Sequence, residues 1–372
     1  MPKYRVLQLI STLERAGAQS LLLDLCRNLD SRTFDVTIAY LRGEADILSS
    51  KDASLQVVDL SDDGRLSPFA LPRVISLLRN HSLIHTHLVH ASIVGLIAAK
   101  FARTGGVVYT RHHADPPRPR WDYRLESKLA RSADAMIAVS EATLGDILRT
   151  GADPERVRVI SNAIDVERFA DTRASSSPQD WQTGDGPRIG TIARLEPQKS
   201  LGTLIEAFAI VLGSFPGATL EIVGEGRERK DLESLAERTG IEKRVRFLGS
   251  VPSEDIPTQL SRWDVFALTS VREPFGIVVA EAMAAGVPVA VSDVGGMREV
   301  VRNEVTGLTF TVDSPTEAPS NAACSILRLL NDRDLRSRLC SAALAEVRER
   351  FDMKVCAARH ADLYRDLLLP DS

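Results

Sequence analysis

The chain has 372 residues, 44% hydrophobic and 26% charged, with a formal net charge of −4. That length and apolar content suffice for two domains that each bury a full core, and they exclude a disordered or fibrous chain. The mild negative balance carries no general affinity for nucleic acid, so no nucleic-acid partner is expected, although a local basic patch can still meet an anionic surface.

Short β-rich runs alternate with helical patterns from the first residues, the signature of parallel sheets covered by helices. Apolar runs predict strands over 5–10, 35–40, 83–86, 107–110, 135–139 and 157–160, with helices near 18–29, 71–79, 91–102, 122–130 and 141–149. The stretch 171–187 is rich in Ser, Asp, Gly and Pro and has no periodicity, which marks a linker. A second alternation follows, with strands over 188–193, 219–223, 244–248, 265–269 and 288–291. The expected fold class is therefore α/β, with two Rossmann-like halves, 1–170 and 188–352. An amphipathic terminal helix over 353–372 can pack back on the first half. No apolar run reaches the length of a signal peptide or a bilayer span. Cys26, Cys324, Cys340 and Cys356 sit in apolar helical contexts without a Cys-x-x-Cys spacing. Buried reduced thiols are expected, in a cytoplasmic protein peripheral to a membrane at most.

The chemistry gathers in the second half. From Glu273 to Glu281 two carboxylates flank the turn Phe275-Gly276, between a strand ending near Thr269 and a helix starting at Ile277. Open α/β sheets bind ligands at such carboxyl ends. Backbone N–H groups at the helix start suit a phosphate, and the two carboxylates can accept hydrogen bonds from a polyol; plain helix capping is the competing reading. Arg194 and Lys199 follow the first strand of this half, where a guanidinium and an ammonium can hold a diphosphate. Gly224 and Gly226 end the next strand and allow close approach of a base or phosphate. The third glycine of a dinucleotide fingerprint is replaced by Arg229, so a nicotinamide site is disfavoured. Gly295 and Gly296 follow the strand over 288–291.

Taken in order, Ala16-Gly17-Ala18-Gln19, Ile84-His85-Thr86-His87, Tyr109-Thr110-Arg111-His112, the 190–199 segment, Val223-Gly224-Glu225-Gly226, 273–281 and Gly295-Gly296-Met297-Arg298-Glu299 resemble the retaining, nucleotide-sugar-dependent glycosyltransferases of family 4, over nearly the whole chain. The resemblance implies the GT-B fold, with two Rossmann-like domains whose parallel sheets face across an interdomain cleft. It further implies a nucleoside-diphosphate sugar, UDP- or GDP-linked, as donor and a glycan, lipid-linked or small-molecule hydroxyl as acceptor, with no cofactor and no metal. The catalytic set it implies is His112, Arg194, Lys199 and Glu273. Arg194 and Lys199 would hold the leaving diphosphate in place of a metal, Glu273 would contact the donor sugar, and His112 would stand beside the reacting sugar. The donor-binding set is Gly17, Gly224, Phe275, Gly276, Ile277, Val278 and Glu281, with Glu281 on the ribose.

Two positions depart from the family pattern. Ala16 replaces a common glycine, and Ser200 replaces the glycine that usually follows the lysine; Ser200 is expected to cap the next helix. His85, His87 and His90 lack an acidic partner nearby in sequence and are expected to pack or hydrogen-bond rather than hold a metal, with His87 a secondary candidate beside His112. The Arg-rich stretch over 111–131, with Trp121 and Tyr123, is a candidate contact for an anionic membrane or a phosphorylated lipid. A nucleotide-sugar 2-epimerase of related fold and a non-catalytic nucleotide-sugar binding protein are the alternatives.

Overall fold

Strands buried on both faces have to be apolar almost throughout, and the chain supplies two sets of them. The computed structural model describes residues 3–14, 17–48, 52–102, 104–112, 125, 127–149, 151–170 and 186–369. Contacts divide the chain into two units, one made of Met1–Ala163 with Met353–Ser372, the other of Ile164–Asp352. Most of the expected linker, 171–185, lies outside the described residues, as does most of the Arg-rich stretch, including Trp121 and Tyr123; of the expected helix over 122–130, residues 125 and 127–130 are described and are helical.

In the first unit, β1 (Tyr4–Ile10), β2 (Phe34–Tyr40), β3 (Gln56–Asp59), β4 (Leu83–His87), β5 (Gly106–Arg111), β6 (Ala135–Ala138) and β7 (Val157–Val159) form one parallel sheet. Its order is β3-β2-β1-β4-β5-β6-β7. One face packs Leu7, Leu9, Ala39 and Ile84 against Val74, Leu78, Leu96 and Ala98 of the helices Ala70–Leu78 and Val89–Ala102. The other face sets Ile10, Ile38 and Tyr40 against Leu22, Leu23 and Cys26 of the helix Gly17–Asn28. The helix Met353–Leu368 lies beside Gly17–Asn28 on this face, where the Tyr364 ring meets Phe34 edge-on at 5.8 Å. The last helix thus belongs to the first sheet, and the unit boundary falls at Ala163 rather than at 170.

The second unit repeats the plan with β8 (Arg188–Ile192), β9 (Thr219–Val223), β10 (Val245–Gly249), β11 (Val265–Leu268), β12 (Val289–Ser292) and β13 (Leu308–Phe310). The order is β10-β9-β8-β11-β12-β13, again all parallel. Each sheet reverses its winding once, between β1 and β4 and between β8 and β11, and ligands of such sheets bind at the carboxyl ends beside that reversal. The strands β3 and β13, which the apolar pattern does not announce, are both sheet edges.

The four cysteines are free thiols, but only Cys26 and Cys356 are buried. Cys324 corrects the expectation of buried thiols. It is exposed on the helix Ala318–Asn331, whose inward face carries Ala322, Ala323, Ile326 and Leu330 instead. Among the described residues no helix is long and apolar enough to cross a membrane.

Candidate functional site

In the second unit the loops after β8 and β11 are tied together at the point of reversal. The Thr269 hydroxyl donates to the carbonyls of Lys199 at 3.2 Å and Ser200 at 2.9 Å, and the Val271 N–H donates to Gln198 O at 2.9 Å. These bonds bring Lys199 onto Glu273, and the ammonium and carboxylate form an ion pair with side chains only 14% and 11% exposed. The Ser270 hydroxyl donates to the same Glu273 oxygen at 3.2 Å. Arg194, five residues earlier, is exposed. The result is a desolvated carboxylate–ammonium pair with a second cation on the same loop as Lys199.

The turn that follows opens the helix Ile277–Ala284. Gly276 has φ of 96°, in the left-handed region, so glycine is required there. Its carbonyl takes the N–H groups of Val279 and Ala280, which leaves those of Ile277 and Val278 without intrahelical partners. The glycine pair after β12 presses on this turn. A Cβ at Gly295 would stand 2.2 Å from Glu273 O, and one at Gly296 would stand 2.1 Å from Pro274 O. Gly296 N also donates to Glu273 O at 2.9 Å. The pair therefore supports the backbone that carries Glu273. Gly224 is required in the same way, since a Cβ there would meet Ala193 O at 1.9 Å.

Phe275 is 1% exposed and stacks edge-on with Phe351 at 5.3 Å, so its side chain is core and only its backbone can face a ligand. Glu281 is partly buried one turn into the helix. Ser200 does not cap as expected. It sits at φ of 46° with no side-chain bond to a helical N–H, and its hydroxyl is within 2.9 Å of Thr203 Oγ1 instead. This conformation explains a glycine preference at that position.

In the first unit, Gly17 is the first residue of its helix, while Ala16 lies outside the described residues. Gln19 is 4% exposed, and its Oε1 has no hydrogen-bond partner among the described residues. His112 follows β5 and is partly buried, with Nε2 at 2.9 Å from His87 Nδ1. His87 Nε2 is 2.8 Å from Gln8 Oε1, and His85 lies between Tyr364 and Thr110, at 2.6 Å from each hydroxyl. His85 and His87 are thus hydrogen-bonding residues, as the sequence reading expects. Gln8 and Tyr364 were not anticipated. Gln8 does carry a signal, being the one polar residue of the apolar run 6–10 within β1, whereas a tyrosine on an amphipathic helix carries none.

Burial holds His85 and His87 well below the usual histidine range, and the neighbouring imidazoles add to the effect. His360, on the last helix, is pushed down to about 4 by burial. A histidine whose folded pKa is depressed binds fewer protons folded than unfolded, so its contribution is complete above the unfolded pKa, about 6.5, and is lost as pH falls. Acidification from pH 6.5 to 4 should therefore destabilise the first unit, by about 1.4 kcal/mol per pH unit for each histidine that stays neutral. Urea unfolding across that range checks this, and a flat stability would contradict it.

Both halves match known families. The family profile for glycosyl transferases group 1 covers residues 175–345, and that for Glycosyltransferase Family 4 covers residues 15–168. The D-inositol 3-phosphate glycosyltransferase of Streptomyces bingchenggensis is 30% identical over 311 residues, 77% of this chain and 67% of the relative. The chain belongs to the family 4, group 1 glycosyltransferases. A further glycosyltransferase of the same name, from Salinispora tropica, is 31% identical over 298 residues, 72% of this chain but 61% of the relative's own length. Among solved structures, Anabaena HepE in complex with UDP-glucose superposes with a TM-score of 0.84 at 26% identity, covering 97% of this chain and 99% of HepE. The two Rossmann-like units are those of the GT-B fold.

Proposed function

We propose that the chain is a retaining, metal-independent glycosyltransferase that moves a sugar from a nucleoside-diphosphate sugar to a hydroxyl of a glycan, lipid-linked or small-molecule acceptor. The observation that carries this reading is the desolvated Lys199–Glu273 pair at the sheet reversal, with Arg194 on the same loop as Lys199. Lys199 and Arg194 are assigned to the diphosphate, Glu273 to hydroxyls of the donor sugar and Glu281 to the ribose. The backbone from Phe275 to Val278 is assigned to the sugar and diphosphate, Gly17 and Gly224 to donor binding, and His112 to the reacting sugar. HepE's complex with UDP-glucose supports a UDP-linked donor.

In a front-face displacement the bond from the anomeric carbon to the phosphate oxygen breaks, and the acceptor oxygen bonds to that carbon on the same face. The acceptor's proton passes to the departing diphosphate. No protein nucleophile is needed, and the two cations take up the charge that grows on the leaving group. Incubation of the purified protein with a panel of UDP- and GDP-sugars and hydroxyl acceptors, followed by NMR of the product, tests the reading. The expected product keeps the donor's anomeric configuration, and EDTA leaves turnover unchanged. An inverted product, turnover abolished by EDTA and restored by Mn²⁺, or an epimer formed without acceptor would each overturn it.

A further inference from the structure

Gln8, His85 and His87 stand on the face of the first sheet that the helices Gly17–Asn28 and Met353–Leu368 cover, inside an otherwise apolar layer. Five hydrogen bonds link six residues there in the order Thr110, His85, Tyr364, Gln8, His87, His112, at 2.6, 2.6, 3.0, 2.8 and 2.9 Å. The first five of these residues are at most 3% exposed, so water cannot replace a missing partner.

A neutral imidazole has one N–H and one lone-pair nitrogen, so each ring hands the direction of donation from one neighbour to the next. The Gln8 amide sets that direction. Its Nε2 donates to the Tyr364 hydroxyl, and its Oε1, which can only accept, faces His87 Nε2. His87 therefore carries its proton on Nε2 and presents the lone pair of Nδ1, and the proton shared with His112 must come from His112 Nε2. In the other direction Tyr364, having accepted from Gln8, gives its own proton to His85 Nδ1, and His85 Nε2 donates to Thr110. All five bonds form in this arrangement without a net charge. Turning the amide over would reverse all five bonds and move the proton of His112 to Nδ1, so the amide orientation and the His112 tautomer are one variable.

We propose that Gln8, His87 and Tyr364 are positioning residues that hold His112 as the Nε2–H tautomer, so that its Nδ1 acts as a hydrogen-bond acceptor, suited to a sugar hydroxyl and not to a sugar oxygen that lacks a proton. This rests on the assignment of His112 to the reacting sugar. The last helix, through Tyr364, thereby takes part in setting a side chain of β5's end.

The tautomer is read directly by two-bond proton–nitrogen NMR correlation on protein labelled with ¹⁵N-histidine. Protonated Nε2 on both His87 and His112 is expected, and protonated Nδ1 on His112 overturns the proposal. Kinetics supply the second readout. Tyr364→Phe and Gln8→Leu should each lower kcat roughly ten-fold with donor KM within about two-fold, because the ring stays in place but its proton is no longer fixed. His87→Phe should do the same. His87→Asn, whose amide oxygen can take the place of Nδ1, should recover most of the loss. Should Gln8→Leu fail to fold, Tyr364→Phe, which keeps the ring, carries the test. Variants that lose thermal stability but keep kcat would show a purely structural role. If His112→Ala keeps parental turnover, the catalytic assignment of His112 fails, while the nitrogen spectra still decide the tautomer.

Discussion

Replacing Lys199 by alanine is expected to lower turnover by about two orders of magnitude or more, the scale at which removal of one charge-stabilising donor acts on a developing oxyanion. The ammonium is desolvated together with Glu273, and ion pairing in a partly dry site is stronger than at a solvated surface. Loss of Lys199 should remove a diphosphate contact and also leave the Glu273 carboxylate held by the Ser270 hydroxyl among the described side chains. The two effects separate by titration calorimetry with UDP. Lys199→Ala should lose UDP affinity as well as turnover, whereas Glu273→Gln should keep affinity for UDP and lose turnover on the intact donor. Glu281→Ala, in contrast, should weaken UDP itself. If Lys199→Ala kept UDP affinity and merely reproduced Glu273→Gln, Lys199 would be a holder of the carboxylate and not a ligand of the diphosphate. Near-parental turnover would remove it from the site.

The largest expected loss of stability is at Gly190, in the middle of β8. A Cβ there would stand 1.9 Å from Cδ2 and 2.0 Å from Cε2 of Trp263, inside the indole ring. The indole cannot step aside. It is 1% exposed, and its N–H donates at 2.8 Å to Glu221, a carboxylate 8% exposed that also accepts from Gln259 at 2.9 Å. Displacing the ring breaks that buried charge-assisted bond as well as the packing. Gly190→Ala should therefore cost about 4 kcal/mol or more, beyond ordinary overpacking. Urea unfolding followed by circular dichroism measures this, and the double variant Gly190→Ala with Trp263→Leu should recover part of the loss by making room. A loss below about 1 kcal/mol would mean that the strand and the indole are not in this register.

What the sequence made legible follows from where information is local. Inner strands such as β6 and β11 are buried at every position and read as unbroken apolar runs. The edge strand β3 is exposed or half-exposed at all four positions, and β13 has only three residues, so neither left an apolar run of usable length. The carboxylates and cations of the second unit lie in contiguous segments after strands, and their placement at a sheet reversal could be anticipated from strand order alone. Their pairing could not, because Lys199 and Glu273 are 74 residues apart and are brought together by the pairing of β8 with β11 and by the Thr269 and Val271 bonds. Ser200 shows the same limit at short range. A serine before a helix suggests a side-chain cap, but the loop geometry imposes a left-handed backbone that takes the hydroxyl to Thr203.

The bond between Gln8 and Tyr364 spans 356 residues of chain, and a whole second unit is inserted between its ends. At roughly 5–20 residues per second, the ribosome places on the order of tens of seconds between the two residues. During that interval Gln8 and His85 lack the last helix and the Tyr364 hydroxyl that joins them, while Ile164–Asp352 has emerged complete and can fold by itself. Order of synthesis and order of folding are therefore inverted in this chain: the half that is made first is the half that is finished last.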